Sequence, residues 1–425
     1  MAKHGCLPSY HYSPLLIQAL RYQLIFGVSP LLSKHAIALF KAITLLTTVC
    51  VLLACSAPPR NASLYSEVMS PLGVSGIRYW DGESKEITGH DLEAEYQQIL
   101  LGRESRGEQQ LSEINHLALS GGGINGAFSA GVLNAWSDNG TRPEFDLVTG
   151  VSTGAIVSIF AYLGSDYDPV LKRYYTETSM NSLFEVNGIW SLLGGKTVLN
   201  TQGFERQVRS YVNADIVQKI ASERSKGRLL VIGTTNLDNE KMSMWDIGKI
   251  AQQNNQQAVS LIQDIIIASS SVPGAFPAKS LEISDGEQAY EELHVDGGVS
   301  RQVFLVPQWA YHSAYLEDLP QQVYVIRNGP LKPHYRVIEN NLTEISLRSL
   351  STMIRNQGIG DVEHIYHFSQ RHHLGFHLAY IDSDFPLISE EAFTQQYMNS
   401  LYQYGYQKTR DAAIWEAVPP SLKAI

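Results

Sequence analysis

From Leu117 onward the chain alternates short apolar runs with longer stretches of helical spacing. His116-Leu-Ala-Leu-Ser120, Phe145-Asp-Leu-Val-Thr149 and Arg228-Leu-Leu-Val-Ile-Gly-Thr-Thr235 leave no room for a polar face and predict buried strands. Ile124–Ser137, Thr153–Leu163, Gly203–Val212 and Gln257–Ser270 carry the helical period between and after them. Strands are expected again at Leu293–Val295, Gln322–Arg327 and Phe376–Ile381, with helices at Phe304–Tyr315, Thr343–Arg355, Ile359–Arg371 and Glu390–Glu416. Strands alternating with helices predict α/β layering. The last helix carries several of the 22 tyrosines, a stripe that reads as core or interface.

Two stretches break the pattern. Residues 56–115 are polar, with Pro58-Pro59 and Pro71, and read as a tether and lead-in within which Asp91–Leu101 has helical spacing. Ser182–Asn200 sets Leu183, Phe184, Trp190 and Leu192 among Gly188, Gly194 and Gly195. It reads either as an irregular loop covering the core or as a lid that touches lipid.

Before the lead-in, Lys41 precedes an apolar run from Ala42 to Ala54, too short to cross a bilayer but suited to the apolar region of a secretory signal. It ends Leu52-Leu53-Ala54-Cys55, which resembles a bacterial lipobox with Cys55 as the lipidated residue. Signals are usually shorter than the stretch ahead of Cys55, and initiation near Val28 is the expectation that reconciles the length. Ser56 after the cysteine is compatible with sorting to an outer membrane. Cys6, Cys50 and Cys55 are the only cysteines, so the body has no thiol chemistry and no disulfide.

Composition bounds the partners. With 425 residues and 44% hydrophobic content the chain can bury a sizeable core. Its formal charge is −10, and loss of the first 54 residues, which hold four bases and no acid, makes it −14. That argues against a nucleic-acid partner, which calls for a basic stripe. An acidic body at a membrane must be held by acyl chains.

Gly150-Val-Ser152-Thr-Gly154 after a predicted strand has the form of a nucleophile elbow, a strained bend that exposes a serine hydroxyl. Side chains at Gly150 and Gly154 would collide with the backbone that such a bend brings close. Gly121, Gly122 and Gly123 open the preceding helix, and amides at a helix N-terminus attract negative charge, including the oxyanion of acyl transfer. The same loop also reads as Gly121-x-Gly123-x-x-Gly126 with Asp146 twenty residues on, a dinucleotide fingerprint. That oxidoreductase reading leaves Gly150–Gly154 without a task.

Taken in order, Ser120-Gly-Gly-Gly-Ile-Asn-Gly126, Gly150-Val-Ser-Thr-Gly154, Ala268-Ser-Ser-Ser-Val-Pro-Gly-Ala-Phe-Pro277 and Asp296-Gly-Gly298 resemble the patatin-like phospholipases over Ile114–Ala314. The resemblance implies a three-layer α/β/α fold with a central, mostly parallel sheet and a helical C-terminal extension. It implies a lipid acyl hydrolase with Ser152 as nucleophile, Asp296 as its partner and Gly121–Gly123 as the oxyanion-hole loop, acting on membrane lipids without cofactor or metal. Many members carry Lys or Arg where this chain has Asn125, so side-chain help to the oxyanion is altered. A carboxylate suits the base if burial raises its pKa toward working pH. A triad esterase would need a histidine after the acid; His312, His334, His364, His367, His372, His373 and His377 are available by order, and His294 sits two residues before Asp296. A catalytically silent lipid-binding lipoprotein is the further alternative.

The expected organisation is thus a signal and lipobox at 1–55, a tether and lead-in at 56–113, a catalytic domain at 114–314 and an extension packed on it at 315–425. Such a chain is expected to be an exported lipoprotein, anchored through Cys55 at the periplasmic face of the outer membrane.

Overall fold

The computed structural model describes residues 38–45, 60–62, 71–81, 92–107, 113–177, 185–186, 199–284, 288–306, 320–385 and 394–423. The chain divides into two units, Met1–Pro59 and Arg60–Ile425. In the first, residues 38–45 are a helix with exposed side chains, and Cys55 lies outside the described residues. No described helix is long and apolar enough to cross a membrane.

The second unit is built on a mixed sheet. Its strands are β1 (Arg78–Trp80), β2 (Ile114–Leu119), β3 (Leu147–Val151), β4 (Leu229–Asn236), β5 (Lys241–Asp246), β6 (Lys279–Ser284), β7 (Ala289–Asp296), β8 (Gln321–Arg327) and β9 (Gly375–Tyr380). The helices around it are α1 (Leu92–Ser105), α2 (Gly126–Asp138), α3 (Thr153–Leu163), α4 (Asp168–Thr176), α5 (Gln202–Tyr211), α6 (Ala214–Ser225), α7 (Ile247–Ala251), α8 (Gln256–Ser269), α9 (Leu342–Arg371) and α10 (Gln395–Arg410). The sheet runs β1-β5-β4-β3-β2-β8-β9. From β4 through β3, β2 and β8 to β9 every pairing is parallel, while β1, β5, β6 and β7 pair antiparallel.

Successive strand residues point to opposite faces, and the two cores follow that period. Leu117, Leu119, Val148, Leu230 and Ile232 join α2, α3, α8 and α10 in one cluster. Ala118, Leu147, Leu229 and Val231 join Ile99 of α1 and Val362, Ile365 and Phe368 of α9 in the other. A sheet buried on both faces is what the unbroken apolar runs at β2 and β4 predict. The three layers and the mostly parallel sheet are as expected.

Other expectations shift. The segment beyond residue 314 supplies β8 and β9, so the central sheet continues through it and β8 lies directly against β2. The two helices expected on either side of Gly358 are one, Leu342–Arg371. Glycine in a helix interior costs roughly 1 kcal/mol against alanine. Gly358 is tolerated because the Arg327 guanidinium passes close beside it and leaves little space for a β-carbon. Strands β1, β5 and β6 and helix α6 were not foreseen. Helix α6 starts where the Asn213 side chain accepts the Ile216 amide at 3.2 Å. Of the helix expected at Phe304–Tyr315, residues 304–306 are not helical and the rest lies outside the described residues, as does most of Ser182–Asn200.

The tyrosine-bearing α10 packs on α2 through a pair of glycines. A β-carbon on Gly131 would collide with the Tyr402 carbonyl, and one on Gly405 would sit 2.6 Å from the Phe128 carbonyl oxygen. Changing an interior helical glycine usually helps a helix, but here Gly131→Val is expected to cost about 1–3 kcal/mol through overpacking. A thermal melt checks this, and an unchanged midpoint would mean that the two helices have room to spare.

Candidate active site

Strand β3 ends at Val151, opposite Gly233 of β4. Its place along β4 is then taken by β7, whose last residue, Asp296, lies opposite Thr234. Two strands thus terminate against adjacent residues of one long neighbour, and the residue that leaves β3 is Ser152. That register brings positions 152 and 296 together.

Ser152 has φ 56° and ψ −124° and caps the N-terminus of α3. Left-handed backbone in a non-glycine residue is strained and is expected at such a bend. A β-carbon on Gly150 would lie 2.5 Å from the Gly154 carbonyl oxygen, and one on Gly154 would collide with the Leu119 carbonyl, so the two flanking glycines are there for space. The bend is pinned by Ser269 at the end of α8. Its hydroxyl accepts the Ser152 amide at 2.9 Å and donates to the Gly233 carbonyl at 2.7 Å. Two residues on, the Ser271 carbonyl accepts the Asp296 amide at 2.9 Å. The serine run of residues 269–271 therefore clamps both ends of the pair.

The Asp296 carboxyl is held by the Gly298 amide at 2.7 Å, and the nearby Ser152 hydroxyl favours its charged form. Burial disfavours that form and outweighs the influence of Ser152 and the Gly298 amide, pushing its pKa up to about 6. The glycine loop stands alongside. The Gly121 amide is already committed, donating to the Gln302 carbonyl at 3.0 Å. Among the described residues the amides of Gly122 and Gly123 take part in no hydrogen bond. Gly122, at φ 154°, runs so close to Asn328 that any β-carbon would meet its backbone.

With this geometry in view, the comparisons are direct. Residues 117–307 match the family model described as Patatin-like phospholipase. They form a patatin-like phospholipase domain. Patatin-like protein 2 of Oryza sativa subsp. indica is 24% identical over 217 residues, covering 47% of this chain and 53% of that protein. The Uncharacterized protein R571 of Acanthamoeba polyphaga mimivirus is 28% identical over 136 residues, or 31% and 44% of the two chains. The chain spans about half the length of the curated relatives it matches. Among solved structures, VipD from Legionella pneumophila aligns over 71% of this chain and 66% of its own, at 11% identity and a TM-score of 0.30, too slight a likeness to bear on the fold.

Two cavities meet at Ser152, each lined partly by residues beyond the patatin-like domain. One, of about 270 Å³, is apolar and is lined by Ile124, Ile156, Phe204, Phe276 and Met398. The other, of about 620 Å³, holds Gly121–Gly123, Asp296 and, beyond them, His334, Arg348 and Arg355.

Two residues escaped the sequence reading. Arg327, the last residue of β8, is 3% exposed and donates to the Gly121 carbonyl at 2.9 Å, the Ser120 hydroxyl at 3.1 Å and the Gln302 side chain at 3.3 Å. Burial pushes its pKa down to about 10, with Asp361 pulling the other way. Gln302 joins the loop, the Gly298 carbonyl and Arg327 into one network. An arginine closing an apolar strand was a weak signal, and Gln302 offered none. Asn125, in place of a cation, donates to the Asn328 carbonyl at 3.4 Å and accepts the Tyr397 hydroxyl at 3.3 Å, tying the loop to α10.

Other candidates fall elsewhere. Asp146 sits at the start of β3, at the far edge of the sheet from the glycine loop, bound to Arg103 at 2.6 Å. The ribose role of the dinucleotide reading is thereby removed. His294 is fully buried between Thr234, at 2.9 Å, and Glu292, at 3.0 Å, packs on Trp245 and lines neither cavity. His377 bonds to Gln322, whereas His334 lines the larger cavity with its ring bonded to Arg348. His312 lies outside the described residues.

A carboxyl whose pKa is raised on folding keeps a proton that the unfolded chain releases, so stability falls as pH climbs from about 4 to 6. The rise from the ordinary 3.8 to about 6 corresponds to about 3 kcal/mol at most. Asp296→Asn removes that cost. The variant is expected to melt higher than the parent at pH 8, with the gap closing near pH 4; a gap that widens on acidification would reject the buried-carboxylate account.

Proposed function

We propose that this chain is a lipid acyl hydrolase that works through Ser152 and Asp296. The observation that carries the reading is the register on β4: Val151, just before Ser152, lies opposite Gly233 and Asp296 lies opposite Thr234, beside loop amides that are uncommitted among the described residues. Asp296 takes the proton as the Ser152 oxygen attacks an ester carbonyl. The amides of Gly122 and Gly123 stabilise the oxyanion, backed by the positive end of α3. The alcohol leaves with the proton, and water then attacks the acyl-serine with Asp296 again as base. The apolar cavity takes the acyl chain and membrane lipids are the substrate class.

The test is covalent labelling by a fluorophosphonate together with product analysis on mixed bacterial lipids. Ser152 is expected to be labelled, Ser152→Ala and Asp296→Asn to lose turnover by at least about 10³-fold, and each single histidine change to be tolerated. Activity is expected to rise with pH through about 6, as Asp296 ionises. An unlabelled Ser152 would favour a silent lipid-binding protein. Loss of turnover in a folded histidine variant would favour a triad esterase.

We propose further that the protein is an exported lipoprotein, held at the periplasmic face of the outer membrane through lipidated Cys55. Fatty-acid labelling in an expressing Gram-negative host is expected to mark the parent and not Cys55→Ala. Equal labelling of both would remove the anchor.

A further inference from the structure

An ester bound with its carbonyl at Ser152 must send its acyl and alcohol halves in different directions. The apolar cavity suits the acyl half, leaving the larger cavity to the alcohol. That larger cavity is cationic: Arg327, Arg348 and Arg355 line it, and Asp296 is its one acidic residue. Arg348 and Arg355 are two turns apart on α9 and so share a face. They belong to a part of the chain beyond the residues matched by the family model, 117–307.

Among the described residues neither Arg348 nor Arg355 is paired with an acid. Several other buried or half-buried arginines of this acidic chain pair with acids: Arg78 with Glu292, Arg142 with Asp168, Arg224 with Glu95 and Arg209 with Asp264. Among the described residues the Arg348 guanidinium donates only to His334, at its ring nitrogen (3.2 Å) and its carbonyl (2.7 Å). Glu344, one turn before Arg348, is taken by Arg336. Arg355 makes no hydrogen bond or ion pair among the described residues, and its Nε is buried without a partner. His334 reports the field they create: burial, then Arg348, Arg355 and Arg336, lower its pKa, so its ring stays neutral and accepts from Arg348. Two arginines left unpaired around a cavity call for an anion with several acceptor oxygens, and phosphate matches the guanidinium fork. At the rim, Leu350 and Met353 are exposed and line the same cavity, which suits an amphiphile.

Building on the hydrolase reading, we propose that Arg348 and Arg355 form a phosphate subsite for the alcohol half of the substrate, selecting esters of glycerol phosphates over neutral glycerides. The selection operates on the leaving alcohol and leaves the Ser152 chemistry unchanged.

The experiment uses the full chain carrying Ser152→Ala, so that ligands are bound and not turned over. Hexanoyl-glycerol 3-phosphate, hexanoylglycerol and inorganic phosphate are titrated into it by calorimetry. The phosphate ester is expected to bind at least about tenfold tighter than either of the others. Adding Arg348→Gln and Arg355→Gln should bring the ratio of the two esters to about one, whereas Arg355→Lys, which keeps the charge, should retain most of the preference and guards against misfolding of the double variant. Equal affinity for the two esters, or a preference that survives in the double variant, would overturn the proposal. Inorganic phosphate binding as tightly as the phosphate ester would also overturn it, as a free-phosphate site with no role in substrate choice. Fluorophosphonate labelling of the unaltered protein separates the two claims. A labelled serine without phosphate preference rejects the subsite alone; a phosphate preference in a protein whose serine stays unlabelled rejects the nucleophile alone.

Discussion

The candidate site depends on one long strand having two short neighbours on the same edge. Strand β4 holds β3 in parallel along its first five residues and β7 in antiparallel along its last three. The ends of the two neighbours face each other with no gap in the ladder. Backbone hydrogen bonds of this kind fix position to a fraction of an ångström, because a slip of one residue would turn every side chain to the other face. Ser152 and Asp296 are therefore held by the sheet and not by the flexibility of loops. Ser269, bonded to both the elbow and β4, ties the end of α8 into the same joint.

Burial gives that joint its chemistry. A carboxylate on the surface would be a poor base near neutral pH, since its pKa would sit far below it. Desolvation at Asp296 brings its pKa up to about 6, within reach of the proposed base role, while the Gly298 amide keeps the carboxyl oriented. The cost is a titrating group that opposes folding as it ionises, a common trade between activity and stability. Arg327, which lines the larger cavity, binds the Gly121 carbonyl and the Ser120 hydroxyl and so braces the start of the glycine loop.

The motifs were legible because they are local. A strained serine bend needs glycines at fixed offsets, and Gly150 and Gly154 are unambiguous in any reading of the chain. The buried strands β2 and β4 announced themselves by runs without a polar face. The edge and antiparallel strands did not: β6 alternates exposed and buried residues and follows a proline-rich turn, and β1 is only three residues long. Helix α9 was read as two helices, and the reason for Gly358 lies in Arg327, thirty-one residues away in sequence but in contact in space.

What the amino-acid order determined by itself was the layering, the elbow and the glycine loop, since each follows from periodicity or from the steric needs of a few consecutive residues. Three things were decided only by the tertiary structure. It committed the Gly121 amide to Gln302, placed Asp146 and His294 away from the loop, and set Arg327, Arg348 and Arg355 around the cavity that opens at Ser152. Which groups meet across a sheet depends on strand order, and strand order is set by the packing of both faces at once. No window of sequence contains that information.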